Sequence, residues 1–464
     1  MSVEAEQWTL LDPLWIDGAH TSMGGHMTTR RRWLLLIAAL ILALPACAGG
    51  TPGEEDSADG GGDSEGGGEI SVAAVWTGGE QEAFEAVLDA FTEESGIETS
   101  YQSSDDLGTF LGTQIEGGSP PDVAMIPQPG LMRSLAEDGS LVELGDDAAG
   151  GLEENFAPVW QELGSVDDTL YGVYFKAASK STWWYNTAVF EQAGVEPPET
   201  YDEMLEVAET VNSSGTPFVS IGAADGWTLT DVFENIYLQT AGPEMYDQLS
   251  NHEIPWTDDS VVTALETMGE VFLEDANLAG GASGALEVAF VDSVTQTFTD
   301  PPAAATVYEG DFVAGVISGE TKAVVGEDAD FFDFPSISGE SAVVGAGDVG
   351  VALTDSDEAQ ELLAFLATPE AAEVWAEIGG FISPNANLDS SVYPDEITQR
   401  IAEAVTAASD SGAFRFDMSD LQPAEFGATA GQGFWQHMQD FLRTGDIDAT
   451  TKSLEKDATA AFGE

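Results

Sequence analysis

Between residues 70 and 126 the chain switches repeatedly between strand-like and helix-like patterns, and that alternation limits the fold more than any other feature. Residues 70–76 (ISVAAVW) form an apolar run of the length a buried strand takes. Thr77, Gly78, Gly79 and Glu80 then turn the chain into a helix, with Phe84, Val87, Leu88 and Phe91 on one face. Gly96 stops that helix, and residues 97–101 alternate like a second strand. Residues 107–115 read as a helix, Pro120-Pro121-Asp122 breaks it, and 123–126 is a third short buried strand. Strand, helix, strand, helix, strand calls for a parallel sheet with right-handed crossovers. Further helices are expected near 188–193, 201–211, 230–240, 260–273, 358–367, 369–379, 395–408 and 432–444. The 396 residues from Glu69 onward suffice for two lobes with separate cores, so the expected class is α/β in two lobes.

Charge narrows the partners. The body from Glu69 holds 74 of the chain's 84 acids and nine of its 12 basic residues, a net charge of −65. Nucleic acid is excluded as a partner, because phosphate contacts need basic patches. Hydrophobic residues make up 43% of the chain, which argues for a packed protein rather than a disordered one. Dense surface acid with few lysines suits an organism living in high salt.

The first 68 residues lie outside the expected fold. Arg30-Arg31-Arg32 precedes twelve apolar residues, 33–44, and then Leu44-Pro45-Ala46-Cys47. That is the anatomy of an export signal, too short for the roughly 20 residues that span a bilayer. Cys47 is the only cysteine, so no intramolecular disulfide can form. Its place resembles a bacterial lipobox, which implies cleavage before Cys47 and a lipid anchor on it. Residues 29–34 also resemble a twin-arginine signal. Met27 then reads as the true start, with 1–26 as a misassigned extension and 27–47 as the signal. Residues 48–68 hold nine glycines and six acids without a large apolar side chain. Such a segment reads as a disordered tether of roughly 25 Å.

The motifs Trp76-Thr77-Gly78-Gly79-Glu80 and Pro120-Pro121-Asp122-Val123 resemble those of solute-binding proteins of ABC importers. So do residues 171–186, ending in Trp183-Trp184-Tyr185-Asn186, then Gly226-Trp227-Thr228-Leu229-Thr230-Asp231 and Thr240-Ala241-Gly242-Pro243-Glu244. Ala346-Gly347-Asp348, Gly379-Gly380-Phe381-Ile382-Ser383-Pro384-Asn385 and Phe414-Arg415-Phe416-Asp417 continue the series. Together these blocks resemble the maltose-binding superfamily, and most of all its α-glucoside-binding branch. Residues 302–312 depart from the aromatic, cationic version associated with that branch. The resemblance implies a two-lobed periplasmic-binding-protein fold, each lobe a mostly parallel sheet flanked by helices. It implies three passages between lobes, expected near 173–180, 332–335 and 383–385. The first lobe would then be 69–178 and 335–384, the second 179–334 and 385–464, with the ligand in the cleft between them.

A sugar offers an apolar ring face, which aromatic rings cover, and a rim of hydroxyls, which carboxylates and amides take. The resemblance places Thr77, Glu80, Gln128 and Asp348 at the cleft from the first lobe. It places Trp227, Asp231, Glu309, Asp311, Arg415 and Asp417 there from the second, with Lys180 and Trp183 from the passage. Each residue also has a plainer use. Trp183 alternates with Trp184 and Tyr185, so part of that strand must face a core. Trp227 could staple a helix, Asp348 could serve a turn, and Glu80 could offset a helix dipole. Lys180 and Arg415, rare cations among so many acids, could be structural ion pairs.

The expected protein is a lipid-anchored monomer outside the cytoplasmic membrane that hands a sugar to an ABC permease, without cofactor or metal. A polyamine or other cation in the same fold is the alternative. A secreted glycosidase ranks below both. The body has only two histidines, His252 and His437, no cysteine, no nucleophile elbow and no metal-ligand spacing.

Overall fold

The computed structural model describes residues 68–463 apart from 105, 340, 341 and 428. The extension, the signal, Cys47 and all of the tether but Gly68 lie outside the described residues.

The opening alternation folds as expected. Strand Glu69–Ala74 pairs in parallel with Glu98–Ser103 on one side and Val123–Ile126 on the other. Helix Gly78–Ser95 buries Phe84, Val87, Leu88 and Phe91, and Gly96 ends it at φ 77°, a left-handed conformation that favours glycine. This sheet has six strands, completed by Gly172–Ser179, Val343–Ala352 and Phe414–Phe416. A second sheet has four, in the order Ala329–Asp333, Thr182–Asn186, Thr306–Tyr308, Val219–Ser220.

Three corrections follow, all from the way the chain passes between lobes. The second sheet is not mostly parallel: Thr182–Asn186 runs antiparallel to both Ala329–Asp333 and Thr306–Tyr308. Thr182–Asn186 enters that lobe where Ala329–Asp333 leaves it, so neighbours at the junction must run oppositely. The same logic makes Gly172–Ser179, which leaves the first lobe, antiparallel to Val343–Ala352, which returns.

The third passage also falls later than 383–385. Strand Phe414–Phe416 pairs in parallel with Val343–Gly345 of the first sheet. Helix Glu396–Ser411 buries Ile397, Ile401, Ala402, Val405 and Ala408 in the first core. Met418, Phe426, Phe434 and Leu454 belong to the second core, so the passage follows Phe416. The glycines at 379 and 380 mark only a turn, after which Ile382 bridges back to Ala177. The second passage lies beyond 336, because Ser336 still donates to Glu199 O at 3.1 Å in the second lobe.

Seven of the eight later helices expected from spacing start within one residue of the reading, and the eighth, Trp227–Ala241, begins three residues early. Helix Ile447–Ala461 escaped it. That helix buries only Thr450, Thr451, Leu454 and Ala458, too few large apolar residues to show a period.

Candidate functional site

Strand Gly172–Ser179 and the passage after it carry two lysines, Lys176 and Lys180, each at the centre of a carboxylate group. Lys176 lies directly across the antiparallel ladder from Asp348, and the register slips immediately after that pair. Bulges of this kind re-aim side chains beside functional sites. The Lys176 ammonium pairs with Glu80, in the first turn of helix Gly78–Ser95. It also stands 5.7 Å above the Trp76 ring and 5.4 Å above the Trp375 ring, within cation–π range. Burial works against its charge, yet Asp348 and Glu80 more than offset that and raise its pKa. Burial lifts the Asp348 carboxyl to about 6 despite Lys176.

Lys180 sits deeper. Its ammonium pairs with Asp417, lies 3.2 Å from Asp231 Oδ2, and is 5.7 Å from the Trp227 ring. Asp231 belongs to the first turns of Trp227–Ala241, a helix buried on nearly every side. Asp417 caps helix Met418–Leu421, accepting from Ser419 Oγ at 2.6 Å and from Asp420 N at 3.1 Å. Glu234 accepts from Met418 N at 2.7 Å, Ser419 N at 3.1 Å and the Tyr246 hydroxyl at 3.0 Å. Glu309 accepts from its neighbour Gly310 N at 3.2 Å.

One lysine cannot balance so many acids, and the carboxyls divide accordingly. Burial opposes the charge on Asp417, but Lys180, Ser419 and the Asp420 N–H hold it below the usual range. Burial pushes Asp231 well above that range, against the pull of Lys180. It does the same to Glu309, with Asp231 adding to the push. Glu309 Oε1 receives no hydrogen bond from the described residues, and Asp231 Oδ2 is met by the Lys180 ammonium at 3.2 Å. Asp420, at the rim, is pushed up to about 7 by burial and then by Asp417. Oxygens of Asp231, Glu234 and Asp417 lie within 4.8 Å of one another, a metal-like spacing. Lys180 is the cation this trio already holds, and two backbone N–H groups serve Glu234.

An aromatic face stands beside the Lys180 group. The half-buried Trp227 ring packs 5.3 Å from Phe290 and 6.1 Å from Phe312, which is 37% exposed. Asp311 ties this wall to the end of the long strand: Ser179 N donates to Asp311 Oδ1 at 3.1 Å and Asp311 N donates to Ser179 O at 2.9 Å. Gly310 allows that approach, since a Cβ there would lie 2.6 Å from Ser179 O. Burial lifts Asp311 to about 6, with Lys176 pulling the other way. Thr77 and Gln128 are exposed residues at helix starts, and neither caps its helix through its side chain.

Ten of the expected residues thus surround the two lysines or the adjoining helix starts, and two do not. Trp183 is fully buried in the second core, 5.3 Å from Tyr308 and 5.6 Å from Phe218. Its strand is covered on both faces, with Trp184 in the other core, so alternation alone could not open one face to a ligand. Arg415 points away. It donates to Asp247 at 2.6 Å and to the carbonyls of Gly412 and Phe414. It lines a separate groove of about 510 Å³ with Arg133 and Glu162. Sequence reasoning missed Lys176, Glu234 and Asp420. Scarcity was the available signal for Lys176, a second lysine four residues before Lys180 on a strand with few cations elsewhere.

Comparison with known proteins agrees with this architecture. Residues 77–373 match the family described as bacterial extracellular solute-binding protein. The chain is 36% identical over 395 residues to the osmoprotective compounds-binding protein GgtB of Synechocystis sp., covering 84% of this chain and 92% of that protein. It is 35% identical over 391 residues to the alpha-glucosides-binding periplasmic protein AglE of Rhizobium meliloti, covering 81% and 84%. The solved bacterial solute receptor AcbH superimposes with a TM-score of 0.71 at 20% identity, over 86% of this chain and 99% of that one, a likeness of fold.

Proposed function

The chain belongs to the bacterial extracellular solute-binding proteins, and from that premise we propose that it captures a small neutral α-glucoside and delivers it to an ABC permease. The observation that carries this reading is the pairing of unlike walls. A half-buried Trp227 face, extended by Phe290 and Phe312, adjoins one group of carboxylates, while Lys176, Glu80 and Asp348 form a second polar group. Aromatic planes suit the ring of a sugar, and carboxylates with an ammonium suit its hydroxyls. The two relatives add direction, one named for α-glucosides and one for osmoprotective compounds. An α-glucoside taken up as an osmoprotectant fits a body carrying 65 excess negative charges, which would repel less in high salt.

The protein is a binder rather than an enzyme, as its relatives are named for binding. We place its lipid on Cys47, outside the described residues, with 48–68 as the tether. Among the described residues no helix is long and apolar enough to cross a membrane. A cation remains the competing ligand because carboxylates outnumber lysines in the site.

A melting-shift series against trehalose, sucrose, maltose and spermidine, run at low and molar potassium chloride, tests these readings. A ligand that binds only the folded state raises the midpoint. A shift with an α-glucoside, and a rise with salt alone, are expected. A shift with spermidine and none with any sugar would overturn the sugar reading.

A further inference from the structure

The two lysines of the site are not equally committed. Lys180 is held by Asp231 and Asp417, whose side chains are 0% and 1% exposed, so releasing it would strand buried charge. Lys176 is 16% exposed and its partner Glu80 is 48% exposed, in the first turn of a helix where water can replace the lysine. Pairs that solvent reaches are held weakly. Beneath the ammonium lie two ring faces, Trp76 and Trp375, themselves buried and fixed at 4.9 Å from each other. The cation therefore rests in a corner of two fixed rings set at right angles, with one mobile side.

The chemistry of the surroundings gives that mobile side a use. Glu80, Asp311, Asp348, Asp417 and Asp420 can only accept when ionised. A hydroxyl has one hydrogen to give and two lone pairs to fill. A sugar bound among carboxylates spends its hydrogens on them and leaves its lone pairs needing a donor. Lys180 is already occupied, which leaves Lys176 as the cationic donor able to re-aim.

We propose, resting on the sugar reading above, that Lys176 is a ligand-binding and specificity-determining residue whose ammonium donates to one hydroxyl of the sugar while Glu80 and Asp348 accept from that hydroxyl or its neighbour. The arrangement reads two adjacent hydroxyls on one edge of a pyranose ring. It disfavours a sugar in which either is missing or alkylated.

The test couples a protein change to a ligand change. Wild type, Lys176→Met and Lys176→Gln are titrated calorimetrically with methyl α-D-glucoside, its four monodeoxy analogues and trehalose. Lys176→Met should weaken binding at least tenfold. One deoxy analogue should lose a similar factor on the wild type and almost nothing more on the variant, because the contact is already gone. Lys176→Gln, which keeps a neutral donor, should recover part of the affinity. Circular dichroism on each variant checks that the fold is intact, and the Gln variant serves if the Met variant fails to fold. Unchanged affinity in a folded variant, or losses that multiply independently for every analogue, would overturn the assignment while leaving the sugar reading intact. A wild type that binds no glucoside in the panel overturns both.

Discussion

Lys176 and Lys180 stand four residues apart on one strand and its extension, yet they sit in different electrostatic settings. Around Lys180 every carboxylate partner is buried, two helices converge, and Asp417, Ser419 and Glu234 anchor the passage into helix Met418–Leu421. Around Lys176 one partner is half exposed and the floor is aromatic. The same residue type therefore serves as a structural pin in one place and as an available donor in the other. What separates them is the burial of the partner, since an ion pair whose partner can be rehydrated costs little to open.

The sharpest way to break this comparison is Lys180→Met. It leaves Asp231 and Asp417 buried without their cation, and should cost about 3–5 kcal/mol of folding stability. Urea unfolding of Lys180→Met beside Lys176→Met checks it, and an equal or larger loss in the Lys176 variant would reverse the assignment of roles.

Next in size is the aromatic wall. Trp227→Ala should weaken ligand binding by about 1–3 kcal/mol, the scale of a lost stacked ring and its buried area. Stability should fall by less, because the ring is only half buried in the absence of ligand. Should stability drop while the dissociation constant stays normal, Trp227 is a helix staple and not a binding surface.

A smaller effect separates the rim from the interior through pH. Asp420 holds its proton to about pH 7, above the ordinary carboxylate value. Between those two values the folded state binds more protons than the unfolded one, so this group's contribution to stability falls as pH rises. Asp420→Asn should thus change little near pH 3.5, where the carboxyl is largely neutral in the native and the unfolded chain alike. At pH 8.5 it should stabilise by about 1–2 kcal/mol, discounted for partial exposure. An equal effect at both pH values would mean that Asp420 titrates normally.

Arg415→Ala should have the smallest effect. Asp247, its partner, is half exposed, so stability should fall by less than about 1 kcal/mol and ligand affinity should not move. A clear loss of affinity would return Arg415 to the binding machinery from which its geometry removes it.

Much of the molecule was legible before any coordinates. Phe84, Val87, Leu88 and Phe91 announced a buried helix face and all four are buried. The family resemblance named Glu80 and Asp348, which stand around Lys176, and Asp231 and Glu309, which stand around Lys180. Trp183 was not legible, because a strand covered on both faces gives each alternate residue the same burial. The third passage was not legible either. The family resemblance put it near 383–385, but only the pairing of Phe414–Phe416 with Val343–Gly345 shows which sheet the later segment joins.

The sequence by itself determined the local periods, the turns that end them and the scarcity of cations, and its motif blocks carried the family resemblance. Those depend on neighbours a few residues apart, and spacing along the chain records them. Tertiary structure alone decided which sheet received each strand, that Trp183 packs among Tyr308 and Phe218, and that Lys176 faces Asp348 while Lys180 faces Asp231 and Asp417. Each of those contacts joins residues from 35 to more than 200 positions apart, and in an acid-saturated chain nearly any carboxylate could have been the partner. Burial selects among them, because only a folded interior makes one charge pair costly to break and another easy to open.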